Sequence, residues 1–259
     1  MTHSPDRGLG IPVPRQDVYL SVIIPAYNES ERLPQTLKRV HQYLSGHSFT
    51  YEILIVLDGP TDRTREVLDG ISGEISNLRI IDRPVNRGKG FTVREGMLEA
   101  RGQIRLFTDA DNSTDIAHFD QMKTLFDEGC DLVIASRNPK DVAGARQTVS
   151  QPWYKRSIGK LGNLLVQRVA VPGIWDTQCG FKAFRAEAAV RIFSQSVIEE
   201  WGFDIEVLAL ARRLNYNIGI IPAHWVNDAR SHVRNIDYLR VFRDTFKVRA
   251  NLLMGKYGL

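Results

Sequence analysis

Several features that would assign a protein to a class at once are missing from this chain of 259 residues. Only two cysteines occur, Cys130 and Cys179, too few for a disulfide-stabilised scaffold and typical of a reducing compartment. No apolar run reaches the roughly eighteen residues that a membrane-spanning helix needs. The first twenty residues are polar and contain prolines, so they predict a flexible tail rather than a signal peptide.

Two common nucleotide-binding signatures are also absent. The first predicted strand is not followed by Gly-x-Gly-x-x-Gly, which disfavours the usual dinucleotide-binding loop. The glycines on either side of Lys89 lack the preceding residues of a phosphate-binding P-loop. The histidines and cysteines do not have the spacing of a zinc site.

The composition that is present is typical of a globular protein, with 43% hydrophobic and 25% charged residues. The net charge of +4 is unevenly distributed. Residues 142–175 carry five basic residues and no acidic one, and residues 232–259 carry six basic and two acidic residues, so the rest of the chain carries −5. This segregation predicts an anionic partner, which could be a membrane, a nucleic acid or a phosphorylated acceptor.

Strand-like and helix-like patterns alternate through the first half of the chain. Short apolar runs predict five strands, and segments with apolar residues at helical spacing predict four helices between them. The strands are Tyr19–Ile24, Ile53–Leu57, Leu78–Ile81, Ile104–Thr108 and Leu132–Ala135; the helices are Glu29–Leu44, Thr61–Ile75, Gly90–Ala100 and Ile116–Phe126. Apolar strands separated by helices predict an α/β fold whose mostly parallel sheet is flanked by helices on both faces.

The second half of the chain follows a less regular pattern. It predicts a basic amphipathic helix, a strand with a helix after it, another helix, a strand and a long final helix: Trp153–Val171, Phe181–Arg185 with a helix from Ala186, Phe203–Leu214, Ile218–Val226 and Ile236–Met254. Basic and apolar residues interleave in the first and last of these helices, as in helices that lie at a membrane interface. We therefore predict a tail over 1–18 and one domain over 19–259, with a nucleotide-binding half at 19–140 and an acceptor- and membrane-facing half at 141–259.

Polar residues follow all five strands of the first half. Because ligands of open α/β sheets bind beyond the carboxyl ends of the strands, we expect these residues to share one site. They are Tyr27-Asn28-Glu29, Asp58-Gly59, Arg83, Asp109-Ala110-Asp111 and Ser136-Arg137. Asp109 and Asp111 would face the same way in a strand and would also converge at a strand end. Their oxygens suit a hard cation, Mg²⁺ or Mn²⁺, that also binds a substrate phosphate.

The motifs at these strand ends resemble those of the family-2 glycosyltransferases, which have the GT-A fold. The matching segments are Val22-Ile-Ile-Pro-Ala-Tyr-Asn-Glu29, Asp58-Gly59 with Thr61-Asp62-Arg-Thr64, Asn86-Arg-Gly-Lys-Gly90 and Thr108-Asp-Ala-Asp111. Two further segments, Asp176-Thr-Gln-Cys-Gly-Phe-Lys182 and Trp201-Gly-Phe-Asp-Ile-Glu206, are most similar to dolichyl-phosphate β-glucosyltransferases and next to dolichyl-phosphate mannose synthases. The mannose synthases have Gln where this chain has Ser113, which favours the glucosyltransferase branch.

The resemblance implies roles for the matching residues. Nucleotide-sugar binding is implied for Pro25, Tyr27, Asn28, Glu29, Asp58, Lys89, Asp109 and Ala110, and binding of Mg²⁺ or Mn²⁺ for Asp109 and Asp111. The sugar and acceptor side would comprise Arg137, Arg156, Gln178, Lys182, Asp204 and Glu206. Asp111 and Arg137 are the implied catalytic residues. Arg230 or His232 would replace a lysine that the family has near the C-terminus.

The activity that the resemblance implies is inverting transfer of a hexose to dolichyl or another polyprenyl phosphate, with UDP-glucose as the favoured donor. Since this acceptor resides in a bilayer, we expect a peripheral protein at the cytoplasmic face of a membrane, bound to its anionic surface. A phosphate acceptor is already charged and needs no general base, and Arg137 would orient it.

Three alternatives stay open at this point. The donor could be GDP-mannose, as in a polyprenyl-phosphate mannose synthase. The acceptor could be a hydroxyl group, which would require a general base, with Asp204 and Glu206 as candidates. A nucleic-acid-binding protein is disfavoured, because the aromatic and basic residues follow helical spacing rather than forming a stacking platform.

Overall fold

The structure is a computed structural model that describes residues 17–148, 162–226 and 235–259. Its strands are β1 (Leu20–Ala26), β2 (Tyr51–Asp58), β3 (Leu78–Arg83), β4 (Ile104–Thr108), β5 (Leu132–Ser136), β6 (Arg146–Thr148), β7 (Phe181–Arg185), β8 (Ile218–Pro222) and β9 (His224–Val226). Its helices are α1 (Leu33–Ser45), α2 (Thr64–Ser72), α3 (Lys89–Glu99), α4 (Phe119–Asp127), α5 (162–169), α6 (Ala186–Phe193), α7 (Phe203–Arg213) and α8 (Asn235–Leu253). A 3₁₀ turn, Ile116–His118, precedes α4.

Seven strands form the central sheet in the order β3-β2-β1-β4-β7-β5-β8. Strands β1 to β4 are parallel to one another, and β7 is antiparallel to both of its neighbours, β4 and β5. Strands β4 and β5 therefore point the same way, and the carboxyl ends of all five strands predicted in the first half meet at one edge. This confirms the predicted α/β class with a mostly parallel sheet.

Helices cover both faces of the sheet. Because side chains alternate along a strand, Val22 and Ile24 pack against α1, α2 and α4, whereas Ile23 packs against α3 and the helices of the second half. Gly96 in α3 has a positional role, since a Cβ there would lie 2.5 Å from Cγ2 of Ile23. The absence of a side chain thus lets α3 lie close to the sheet.

The observed elements agree with the predicted ones to within a few residues, with two informative differences. Helix α1 begins at Leu33 rather than Glu29, with a proline in its first turn, where the missing N–H costs no helical hydrogen bond. The single predicted strand Ile218–Val226 is wrong. It divides after Pro222, which has no N–H for the sheet, and its second part, β9, pairs with the unpredicted strand β6.

The predicted basic helix Trp153–Val171 is described only in part. Residues 162–169 are helical, and residues 149–161 lie outside the described residues. In the part of the chain that the structure describes, no helix combines the length and apolar composition that crossing a bilayer requires.

Candidate active site

Asp109 lies immediately beyond β4, at the carboxyl edge of the sheet. Its N–H donates to the carbonyl oxygen of Gly180 at 3.2 Å, one residue before β7 begins. A Cβ on Gly180 would overlap the Asp109 carboxylate, so only glycine leaves room for it. Sequence reasoning assigned no role to Gly180, although its place next to a predicted strand start in a matching motif was a usable signal.

Lys89 brings a positive charge to this carboxylate. Its Nζ lies 2.6 Å from Oδ1 of Asp109 and 4.9 Å from the centre of the Trp201 ring. Burial by itself would lower the pKa of Lys89, but the carboxylates of Asp109, Asp204 and Asp111 raise this pKa above its ordinary value. Lys89 is therefore a cation at neutral pH, next to the predicted metal site.

Asp111 lies in the turn that follows Asp109. Its Oδ1 accepts a hydrogen bond from the N–H of Ser113 at 2.9 Å, and Asn112 between them has a positive φ of 52°. The Oγ of Ser113 is buried and has no hydrogen-bond partner among the described residues. A second carboxylate and a hydroxyl that has no partner among the described residues thus lie within four residues of Asp109.

These oxygens fit a hard divalent cation. In the described residues, no group of three or more His, Cys, Asp or Glu side chains gathers as a metal site, so the protein would supply Asp109 and Asp111 and few other charged ligands. Mg²⁺ is typically held in this way, by one or two carboxylates together with substrate phosphates and water.

Asp58 orders the loop that carries Lys89. Its buried carboxylate accepts from Nη2 of Arg83 at 2.8 Å, from the N–H of Arg87 at 2.8 Å and from the N–H of Gly88 at 3.0 Å. This buried carboxylate therefore stabilises the segment that leads into α3. The predicted contact between Asp58 and the nucleotide stays a prediction.

The residues that follow β1 surround the same edge. The ring of Tyr27 is exposed, whereas the Oδ1 of Asn28 accepts from the N–H groups of Thr61 at 2.8 Å and Asp62 at 3.3 Å. The Glu29 carboxylate is paired with Arg32. Of this motif, Tyr27 offers an exposed surface to a ligand, and Asn28 joins the loops after β1 and β2. Two further predicted residues are buried: Pro25 lies within β1, and the carbonyl of Ala110 accepts from the hydroxyl of Thr36 at 2.6 Å.

Arg137, one residue beyond β5, is held by Asp176. The N–H and Nε of Arg137 both donate to Oδ2 of Asp176 at 2.7 Å, and its Nη2 donates to Oδ1 at 2.8 Å. Burial by itself would raise the pKa of Asp176, but Arg137 holds this pKa below its ordinary value, and Asp176 in turn raises the pKa of Arg137. The fork of the arginine is thus fixed in orientation by a partner that the sequence did not identify.

Lys182 and Asp204 form a second ion pair, which is buried and lies beside that of Arg137 and Asp176. Lys182 is fully buried in β7, and its Nζ donates to Oδ1 of Asp204 at 2.5 Å and to the carbonyl of Cys179 at 2.6 Å. Burial raises the pKa of Asp204, although Lys182 and Lys89 both act to lower it. The two predicted residues are therefore engaged with each other.

Neither Glu206 nor Gln178 is a partner in the Lys89–Asp109, Arg137–Asp176 or Lys182–Asp204 pair. The Glu206 carboxylate accepts from the N–H groups of Val197 and Ile198 and from the hydroxyl of Tyr257, none of which was predicted to belong to the site. Gln178 is exposed. Arg156, Arg230 and His232 lie outside the described residues.

The edge as a whole combines three cation–carboxylate pairs with one further carboxylate. The pairs are Lys89–Asp109, Arg137–Asp176 and Lys182–Asp204, and the further carboxylate is Asp111. Carboxylates that can hold a divalent cation thus lie next to cations that can hold phosphate groups. This arrangement can bind a metal–diphosphate on one side and a second anion on the other.

Comparison with known proteins agrees with this chemistry. Residues 21–193 match the family model described as Glycosyl transferase family 2. The chain is 35% identical to a dolichyl-phosphate β-glucosyltransferase of Dictyostelium discoideum, over 93% of this chain and 77% of the relative. It is 32% identical to a human protein of the same name, over 93% of this chain and 78% of the relative.

A solved structure shares the fold. The glucosyl-3-phosphoglycerate synthase of Mycobacterium tuberculosis, crystallised with Mn²⁺, UDP-glucose and phosphoglyceric acid, aligns with a TM-score of 0.62 at 19% identity. The alignment covers 99% of this chain and 86% of that one.

Proposed function

This chain belongs to glycosyl transferase family 2, and we propose that it transfers glucose from UDP-glucose to the phosphate of dolichyl or another polyprenyl phosphate. The observation that carries the proposal is the division of the sheet edge, with Asp109 and Asp111 after β4 and the oriented fork of Arg137 after β5. The names of the relatives, which are similar over 93% of the chain, support the lipid phosphate as acceptor.

On the donor side, Asp109 and Asp111 would hold Mg²⁺ or Mn²⁺, which would supply Lewis acidity against the negative charge that builds on the departing diphosphate. Lys89 adds a fixed positive charge beside the carboxylates, and its ion pair with Asp109 orients it before the donor binds. The exposed ring of Tyr27 offers a surface on which the base of the nucleotide can stack.

On the acceptor side, Arg137 orients the lipid phosphate. A phosphate monoester carries about −1.5 to −2 charges near neutral pH, so its oxygen attacks without a general base. A single displacement inverts the configuration at the sugar carbon. The carboxylates that a hydroxyl acceptor would need as a base are engaged, Asp204 by Lys182 and Glu206 by two N–H groups and Tyr257. This favours a phosphate acceptor over a hydroxyl acceptor.

The outer face of α8 supports binding to an anionic membrane. Leu239, Phe246 and Leu253 are spaced seven residues apart and are 54–72% exposed, whereas the face of the helix that meets the domain carries Val248 and Asn251. Exposed bases flank the apolar stripe, namely Arg243, Lys247 and Arg249. An apolar stripe between bases is typical of interfacial helices, and each base near an anionic surface contributes about 1 kcal/mol. We place the protein peripherally at the cytoplasmic face of a membrane.

The decisive experiment incubates the protein with Mn²⁺ or Mg²⁺, a polyprenyl phosphate and one of several radiolabelled nucleotide sugars. We expect label in the lipid extract with UDP-glucose, and none when the metal is chelated. Label from GDP-mannose instead would establish the mannose synthase alternative. The absence of lipid-extractable label from every donor would refute transfer to a lipid phosphate.

A further inference from the structure

Lys89 rests on the segment that connects α6 to α7, residues 194–202, here called the α6–α7 turn. A Cβ on Gly88 would lie 2.5 Å from the carbonyl oxygen of Glu199, and one on Gly90 would lie 2.6 Å from that of Ile198. The main chain on both sides of Lys89 therefore touches the turn directly. Any displacement of the turn moves Lys89 relative to Asp109.

The turn is tied directly to α3 and to the segment before it. Nη2 of Arg87, which precedes α3, lies 2.6 Å from a carboxylate oxygen of Glu199, but both side chains are more than 40% exposed, and exposed ion pairs contribute little to holding a segment in place. Within α3, the N–H of Phe91 donates to the carbonyl of Glu199 at 3.1 Å, and Nη1 of Arg94 donates to that of Ser196 at 2.7 Å. A further tie comes from the buried side of the turn.

Glu206 in α7 provides that tie. It is fully buried, and its Oε2 accepts from the N–H of Val197 at 3.0 Å and from the N–H of Ile198 at 2.9 Å. A single carboxylate thus satisfies two consecutive main-chain donors of the α6–α7 turn. Ile198 is also the residue whose carbonyl oxygen contacts Gly90. The position of the Glu206 carboxylate therefore fixes where the turn lies relative to the main chain around Lys89.

Tyr257, which follows α8, orients the carboxylate. Its hydroxyl donates to Oε1 of Glu206 at 2.8 Å, and its side chain is buried. The oxygen that receives the Tyr257 hydroxyl is not the one closest to Ile198, so the two sets of bonds fix the rotation of the carboxylate. The segment after α8 is thereby connected to the donor side of the edge through Glu206, the turn and Lys89.

We propose that Tyr257 and Glu206 are positioning residues for the donor site, which hold the α6–α7 turn so that Lys89 meets Asp109. This inference rests on the proposed function, in which Lys89 binds the diphosphate of the nucleotide. Neither Tyr257 nor Glu206 touches that group; they act through the turn.

The chain offers a matched control for Tyr257→Phe. The hydroxyl of Tyr43 donates to Oδ1 of Asp120 at 2.7 Å, a tyrosine–carboxylate bond of nearly the same length between α1 and α4. Tyr43→Phe removes the same kind of bond without touching α7 or the turn. Because Asp120 is 60% exposed and Glu206 is buried, Tyr43→Phe controls for removal of a tyrosine hydroxyl, and denaturant unfolding of both variants measures their different losses of stability separately.

The test first measures the reactivity of Lys89 towards an amine-labelling reagent by mass spectrometry, with Lys123 as the internal reference. It needs no ligand. We expect labelling of Lys89 to rise about three- to tenfold in Tyr257→Phe and to stay unchanged in Tyr43→Phe, since loss of one hydrogen bond frees the turn. Equal reactivity of Lys89 in the two variants would overturn the proposal, whatever the protein transfers.

Calorimetric titration of UDP with Mn²⁺ then tests the consequence for the donor. Tyr257→Phe should weaken UDP binding about three- to tenfold, whereas adding it to Lys89→Met should weaken binding no further. An equal loss in both backgrounds would contradict action through Lys89.

Glu206→Gln keeps one accepting oxygen and should behave like Tyr257→Phe. It replaces Tyr257→Phe in both measurements if that variant does not fold. Absence of UDP and GDP binding by the unmodified protein would instead refute the proposed function, and labelling would still decide the positioning role.

Discussion

The two ends of the central sheet both bury charged side chains, but they surround them differently. At the amino end, the Glu52 carboxylate accepts from the Ser21 hydroxyl at 2.6 Å, from the N–H of Arg101 at 2.6 Å and from Nη1 of Arg79 at 2.7 Å. Arg105 is fully buried nearby, and its Nη1 donates to the carbonyl of Met97 at 2.5 Å. Burial lowers the pKa of Arg105 to about 10.

At the carboxyl end two of the charged groups stay partly exposed. The side chain of Asp109 is 32% exposed and that of Arg137 is 22% exposed, against 5% for Glu52. Exposure does not separate every charged residue of the two ends, since Arg79 is 27% exposed and Lys182 is fully buried. The difference lies between Glu52, which is enclosed by its donors and stabilises the fold, and Asp109, which is accessible to a ligand.

The largest expected effect is on stability, at the amino end. Glu52→Ala leaves Arg79 and the N–H of Arg101 without their partner, and we expect it to lower the free energy of unfolding by about 3–5 kcal/mol. Denaturant unfolding measures this loss. The transfer rate per folded molecule should stay unchanged, and a specific loss of transfer would show that the two ends are not separate in function. Asp127→Ala, which removes an exposed pair with Lys123, is the control and should cost less than about 1 kcal/mol.

A comparable loss should appear in catalysis at the carboxyl end. Asp111→Asn removes the charge of a proposed metal ligand, and we expect transfer to fall about 10²–10³-fold, as for the loss of one strong electrostatic group. The melting temperature should stay close to that of the unmodified protein, because the Asp111 carboxylate accepts only the N–H of Ser113 among the described residues. Undiminished transfer would remove Asp111 from the metal site. Asp127→Asn is the matched exposed control.

A smaller effect is expected for the acceptor. Arg137→Lys keeps the charge opposite Asp176 but loses the two-pronged geometry, so the concentration of polyprenyl phosphate needed for half-maximal rate should rise about ten- to hundredfold. UDP affinity, measured by calorimetry, should change little. Equal losses for donor and acceptor would contradict the assignment of Arg137 to the acceptor side. Lysine is preferable to alanine here, since alanine would remove the cation that faces the buried Asp176 and leave the main-chain N–H of position 137 as the remaining donor from that residue.

Gly180 tests whether the opening at the carboxyl end depends on a missing side chain. In Gly180→Ala the new methyl group overlaps the Asp109 carboxylate, and we expect a cost of about 1–3 kcal/mol, expressed mainly as weaker binding of the metal–nucleotide. Titration of UDP with Mn²⁺ measures this. Gly70→Ala is the control, because a Cβ there meets nothing within 4 Å. Normal UDP affinity in Gly180→Ala would show that Asp109 can move without consequence.

The smallest effect is a difference in pH dependence between two buried glutamates. Burial acts to raise the pKa of Glu52, but its hydrogen bonds to Ser21 and Arg79 hold this pKa below the ordinary 4.5, whereas burial raises the pKa of Glu206 above 4.5. The contribution of Glu52 to stability is therefore lost as the pH falls below 4.5 through its folded pKa. The contribution of Glu206 is lost as the pH rises above 4.5 through its folded pKa.

The free energy of unfolding of Glu52→Gln and Glu206→Gln is measured from about pH 3 to pH 7. Each variant should lose the pH dependence that its glutamate contributes, and this dependence is at most about 1.4 kcal/mol per pH unit for one group. Glu52→Gln should flatten the acid side of the stability profile. Glu206→Gln should remove a decline of stability with rising pH. The same slope change in both variants would refute the assignment of opposite pKa shifts.

Much of the fold could be predicted because its strands are short apolar runs bounded by polar residues. Ile104–Thr108 and Phe181–Arg185 agree residue for residue with β4 and β7, because most of their side chains are apolar as buried strands require, although each strand also buries one cation, Arg105 or Lys182. The direction of β7 was not predicted, because apolar patterning is the same for parallel and antiparallel strands. The short pair of β6 and β9 was missed for a related reason, since three residues carry too little pattern to be recognised.

Three features follow from the amino-acid sequence alone: the order of strands and helices, the gathering of polar residues at one sheet edge and the adjacency of Asp109 and Asp111. All three depend on neighbours in the chain or on the common direction of parallel strands. The pairing of the charges, in contrast, depends on how the folded chain packs. The insertion of β7 between β4 and β5 places Gly180 against Asp109 and Lys182 beside Asp204, and Glu206 meets Tyr257 across 51 positions. Such partners are far apart in sequence, and a buried charge takes whichever partner the packing brings within reach.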